Sequence, residues 1–127
     1  MATISIPSDK EFEEMINNGI AGLPKLYQDN LDNVGFVIAD EPTQAQREEL
    51  KLRCNETLFG LYQGIPLTKR GGGYNLVLPD KITIFKLPIV AASRSIDEIA
   101  EHVRHTVWHE VAHYYGLNHG QIHKLEK

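Results

Sequence analysis

Cysteine is almost missing from this chain of 127 residues: Cys54 stands alone, so no disulfide can form within it. That suits a reducing compartment, and a lone thiol reads as a small core residue rather than a nucleophile. Long apolar runs are missing too. No segment approaches the roughly 18 continuous apolar residues that a membrane span needs. The opening MATISIPSDKEF has no cationic stretch followed by an apolar one, so nothing there reads as a secretory leader. A cytoplasmic location without membrane contact is the expectation. Positive charge is not in excess either: 13 Lys and Arg against 17 Asp and Glu leave a net charge of −4. Long polyanions are therefore disfavoured, and no nucleic-acid partner is expected. No repeat, low-complexity run or linker-like stretch interrupts the chain.

What is present is globular in balance, with 42% hydrophobic and 24% charged residues. The length fits a single domain over residues 1–127. A domain of this size buries roughly two-thirds of its unfolded surface and needs no covalent staple.

Local signals order the chain. Ser8 and Glu11 have the spacing of a capping box, and Phe12, Met15, Ile16 and Ile20 follow at helical intervals. Gly22 and Pro24 end that helix. Residues 34–38 (VGFVI) predict a buried strand, 42–52 a helix, and 58–65 a second strand stopped by Pro66. Lys69-Arg70-Gly71-Gly72-Gly73 predicts a loop. Glycines of that kind cradle a phosphate only with a helix start behind them. Here the extended-looking 74–78 (YNLVL) follows, so phosphate binding is not expected. Residues 81–87 (KITIFKL) alternate like a strand that Pro88 ends or marks as an edge. Ser95 and Glu98 repeat the capping-box spacing and start a long helix that runs to about Tyr115.

On that last helix, at about 100° per residue, Ile96, Ala100, Val103, Val107, Val111 and Tyr114 share one stripe. His102, His105, His109 and His113 fall on roughly the opposite side. The apolar stripe anchors the helix, and the histidine stripe faces water or a cleft.

The histidine spacing carries the chemistry. His109-Glu110-Val111-Ala112-His113 is HExxH, and Gly116 and His119 extend it to HExxHxxGxxH. At average residue frequencies these fixed positions arise by chance in such a chain roughly once in 10⁵. Side chains four apart on a helix have Cβ atoms about 5–6 Å apart on one face. His109 and His113 can thus reach one Zn²⁺ at about 2.0–2.1 Å. His119 cannot join from a continuing helix, where it would lie about 9 Å beyond His113 and be rotated by about 240°. The helix must break first, and Gly116 suits the residue just past its end because it adopts positive φ at little cost. Three protein ligands around one zinc ion leave the fourth position open to water, the mark of a catalytic site. Glu110 points about 100° away from His109, beside the metal rather than on it. It is placed to take a proton from the attacking water and pass it to the leaving amine.

Neighbouring residues read otherwise. His105 and His113 are about 12 Å apart along the axis, so one ion does not take both of them with His109. His102, His105 and His123 read as solvated or as hydrogen-bonding neighbours, and Trp108, Tyr114 and Tyr115 as packing residues.

HExxHxxGxxH is the zinc signature of the metzincin peptidases. The segment LFGLYQGIPLTKRGGGYNLVLPDKITIFKLPI, followed by HTVWHEVAHYYGLNH, resembles the bacterial minimal zincin-like metallopeptidases over about residues 10–125. The resemblance implies a single-domain α+β fold with a small mixed sheet. It implies the HExxH helix flooring a cleft and an edge strand above it, here 81–87, to which a peptide substrate adds as a strand. Many members carry Asp where this chain has His119, and either side chain can bind zinc. The Met-turn that follows the third ligand in true metzincins has no counterpart, since the methionines are Met1 and Met15.

The leading expectation is zinc-dependent hydrolysis of peptide bonds in a peptide or protein substrate. Two alternatives belong to other classes. A metal-dependent endoribonuclease resembles the bacterial rRNA-processing metalloenzymes, which carry three histidines but Gly where Glu110 stands. A latent or non-catalytic metal-binding module keeps the ion and lacks turnover.

Overall fold

The structure, a computed structural model, describes residues 6–29, 31, 34–53, 59–64 and 80–116. Cys54, the glycine loop at 69–73, the segment 74–78, His119 and His123 lie outside the described residues, as do the two ends of the strand predicted over 58–65.

Helix α1 (Asp9–Ala21) starts as its sequence requires. Ser8 Oγ accepts the N–H of Glu11 at 3.2 Å, and the Ser8 N–H donates to Glu11 Oε1 at 3.1 Å. Two donors that a helix start leaves unpaired are thereby satisfied reciprocally. Phe12 and Ile16 form its buried face, and Gly22 closes it by donating its N–H to Asn18 O at 3.1 Å. A single turn, α2 (Lys25–Gln28), follows behind Pro24. Helix α3 (Gln44–Arg53) begins two residues later than predicted because Thr43 and Gln46 cap it reciprocally, at 3.1 and 2.9 Å.

Among the described residues, three strands form one mixed sheet in the order β1-β3-β2. Strand β1 (Val34–Ala39) runs parallel to β3 (Asp80–Phe85), and β2 (Gly60–Gln63) runs antiparallel to it. Helices and this sheet make the α+β class predicted from the sequence, but two strand assignments change. The 81–87 segment is not an edge. Its strand is the middle one, buried at every position except Lys81, because Ile82 and Ile84 face the helices while Thr83 and Phe85 face the other side with Leu61. Lys86 and Leu87 already belong to helix α4 (Lys86–Ala91). Pro88 sits in the first turn of α4, where a missing N–H costs nothing. Conversely, β1 is an outer strand among the described residues, with Gly35 exposed and Val37 42% exposed, not a buried one.

Helix α5 (Ile96–Tyr114) crosses this sheet. Ser95 Oγ accepts the Glu98 N–H at 3.1 Å to start it. Its fully buried Ile99, Val103, Val107 and Val111 pack against Phe12, Ile16, Ile82 and Ile84. Burying each such side chain contributes roughly 1.5–3 kcal/mol, so this seam dominates the stability of the described core. Ile96, predicted in the same stripe, is 46% exposed because it lies at the helix start, beyond the reach of the sheet. Lys86 ties α4 to the start of α1: its Nζ lies 3.0 Å from Asp9 Oδ1 and over the Phe12 ring. Among the described residues no helix is long and apolar enough to cross a membrane.

Candidate metal centre

Two stripes of α5 build the site, one residue apart in sequence. The first consists of His102, Thr106, Glu110 and Tyr114, spaced by four, and it lies along β2. Phe59 stacks at a tilt on His102, with ring centroids 5.3 Å apart. A β-carbon built on Gly60 would meet Thr106 Cγ2. Tyr62 donates its backbone N–H to Glu110 Oε1 at 2.8 Å, and its ring meets Tyr114 edge-on at 5.8 Å. The Tyr62 hydroxyl in turn donates to the buried Asp80, Oδ1, at 3.2 Å. Strand and helix therefore run side by side over several turns.

The second stripe holds His105, His109 and His113, half-buried beside the strand contact. The Nε2 atoms of His109 and His113 converge to 3.0 Å, with ring centroids 4.7 Å apart. Two nitrogens bound at about 2.0–2.1 Å to a tetrahedral zinc ion are separated by about 3.3 Å, so small side-chain rotations fit the pair to an ion. One ligand atom from each of His109, Glu110 and His113 lies within 4.8 Å of the others. The group fits metal binding: two imidazoles offer nitrogens to one point, and a carboxylate stands next to it.

Glu110 is only 5% exposed. A carboxylate so placed needs a donor, and the Tyr62 amide supplies one. The sequence placed Glu110 beside the ion rather than on it; in the structure its Oε1 accepts the Tyr62 N–H.

The helix ends at Tyr114, two residues before Gly116. Tyr115 donates its N–H to Val111 O at 3.1 Å, and Gly116 takes φ 76° and donates to His113 O at 2.9 Å. This left-handed residue just past the last turn is the break predicted for Gly116. His119, the predicted third ligand, lies beyond it and outside the described residues.

Among the described residues, His102, His105, Trp108 and Tyr115 are engaged elsewhere. His105 lies 3.0 Å from Glu101 Oε1. The Glu101 carboxyl is held below the usual carboxylate range, chiefly by its hydrogen bond with the Arg104 guanidinium. His102 Nδ1 pairs with Ser93 Oγ at 2.8 Å and its ring meets Phe59 at the head of β2, so this histidine, grouped by the helical wheel with His109 and His113, belongs to the strand contact. Trp108 packs, donating Nε1–H to Gly19 O at 2.9 Å under the Arg104 guanidinium. Tyr115 donates its hydroxyl to Tyr27 O at 2.8 Å and is committed to α2.

The sequence reading missed Gly60 and Tyr62. Tyr62 acts through its backbone, which leaves no side-chain signature. A glycine inside a strand was the available signal, since it often marks a close approach of another element.

A family model described as zincin-like metallopeptidase matches residues 31–127, a span that includes all three strands and α5. No curated protein matches the chain.

Proposed function

The chain belongs to the zincin-like metallopeptidase family, and from that membership we propose that it is a zinc-dependent peptidase with Glu110 as the general base. In this reading His109, His113 and His119 hold one zinc ion. The observation that carries it is the convergence of the His109 and His113 Nε2 atoms at 3.0 Å beside the buried Glu110 carboxylate.

A zinc ion held there would polarise the scissile carbonyl and lower the pKa of a water towards 7. The remaining work falls to the chain. Glu110 takes the proton of the water as it attacks the carbonyl carbon. It then gives that proton to the amine nitrogen as the carbon–nitrogen bond breaks. Strand β2 supports binding of an extended peptide: it is an outer strand among the described residues, runs beside the Glu110 stripe, and would pair with substrate backbone through its outward groups other than the Tyr62 N–H, which Glu110 takes. It takes the place in this reading that the sequence assigned to 81–87. The net charge of −4 and the presence of Glu110 favour a peptide over an RNA substrate, and a cytoplasmic location belongs to the same reading.

The test is a parallel digestion. Zinc-loaded protein is offered a quenched-fluorescence peptide library and, separately, a structured RNA. The proposal requires peptide cleavage that a zinc chelator stops and no RNA cleavage. RNA cleavage, or zinc binding without cleavage across the library, contradicts it.

A further inference from the structure

We propose that strand β2 is the positioning element for the Glu110 carboxylate. The outward-facing N–H of Tyr62 holds Oε1, and the bare backbone of Gly60 lets the strand come close enough to do so. The proposal rests on the peptidase reading for its role in turnover, but not for its geometry.

The direction of the Tyr62 amide follows from the register. Phe85 donates its N–H to Phe59 O at 2.8 Å, and β2 pairs with β3 as Leu61 with Thr83 and Tyr62 with Ile82. Hydrogen-bonded and non-bonded pairs alternate in an antiparallel ladder. Phe59 and Leu61 therefore face their partners in β3, and the N–H of Tyr62 turns away from β3. The atom it meets is Glu110 Oε1, at 2.8 Å. A charge-assisted bond of that length fixes the direction of Oε1.

Approach distance is set two residues earlier. A β-carbon at Gly60 would lie 2.5 Å from Thr106 Cγ2, 3.2 Å from Thr83 O and 3.3 Å from Glu110 Cγ. Any side chain there pushes strand and helix apart and lengthens the Tyr62–Glu110 bond. The arrangement also gives base and substrate a common reference. A peptide laid along β2 and a carboxylate held by β2 are registered on one backbone. Small misplacements matter, since about 1 Å at a catalytic group costs on the order of a hundredfold in rate.

Two measurements on the zinc-loaded full chain test this. The first needs no activity. Amide hydrogen exchange at Tyr62 should accelerate by about tenfold or more in Glu110→Ala while Ile82 and Ile84 keep their protection. Equal protection at Tyr62 in both proteins overturns the proposal. The second replaces the Tyr62 amide by an ester, using the α-hydroxy acid of tyrosine, and leaves every side chain in place. Zinc affinity by chelator competition should stay within about threefold, and kcat on a quenched-fluorescence peptide should fall by about 10- to 100-fold with KM within about threefold. An unchanged kcat overturns the proposal. If the unmodified protein cleaves no peptide, the peptidase reading falls, and the exchange result alone decides whether β2 holds Glu110.

Discussion

Gly60 faces Thr106 so closely that a β-carbon on the glycine would stand 2.5 Å from the Cγ2 methyl of the threonine. The threonine has little freedom to turn away, because its Oγ1 donates to His102 O at 2.7 Å. This contact sets how near β2 approaches α5, and hence whether the Tyr62 amide reaches Glu110.

Gly60→Ala should therefore destabilise the protein by about 1–3 kcal/mol, the usual cost of overfilling a packed contact. Thr106→Ser removes the clashing methyl while keeping the hydroxyl. In urea unfolding the double variant should recover part of the loss, with a coupling of more than about 0.5 kcal/mol. Strict additivity would contradict the contact.

Gly116 holds φ 76° and donates to His113 O. An alanine there must adopt a left-handed conformation, at about 1–2 kcal/mol. Gly116→Ala should lower stability in denaturant titrations by that amount and, if His119 is the third ligand as proposed, weaken zinc binding. A variant with unchanged stability and affinity would contradict the role of the break.

Removing either convergent imidazole should abolish tight metal binding. Loss of a group that merely supports a ligand costs 10–100-fold in affinity, so His109→Ala and His113→Ala should each cost at least about a hundredfold. His105→Ala, whose ring lies against Glu101 instead, should leave affinity unchanged. Chelator competition with purified apoprotein distinguishes the two outcomes.

The capping box of α1 gives a pH signature. The Glu11 carboxyl is lowered in the folded state, first by the backbone N–H of Ser8 and then by its hydroxyl. A lowered folded pKa means that the ionised group stabilises the fold above its unfolded pKa, and that this is lost as pH falls through the folded value. The stability difference between the wild type and Glu11→Gln should be full at neutral pH and shrink on acidification below the ordinary carboxylate range. Thermal melts over a pH series check the sign; a difference that grows on acidification contradicts it.

The helices were legible because their signals are local. Ser8 with Glu11 and Ser95 beside Glu98 mark starts, Gly116 marks an end, and the Val103, Val107, Val111 spacing marks the buried face of α5. The His109–His113 pair was legible for the same reason: helical spacing alone brings its nitrogens together. Sheet order was not. Pairing is set by partners distant in sequence, and Ile82 and Ile84 carry the same alternation in a middle strand as at an edge. Nor did the helical wheel separate His102 from His105, His109 and His113, because only β2, packed along Thr106 and Glu110, divides that face into a strand contact and a stripe carrying the convergent histidines. The distinction is long-range, as is the burial of Glu110.

Glu110→Gln isolates the chemistry from the fold. Glutamine keeps the size and an oxygen that can accept the Tyr62 N–H, but it cannot take a proton from water. With zinc affinity matched to wild type, cleavage of a quenched-fluorescence peptide library should fall by about 10²–10⁴-fold, the range expected for losing a general base. Peptide cleavage by zinc-loaded Glu110→Gln at the wild-type rate would contradict the account.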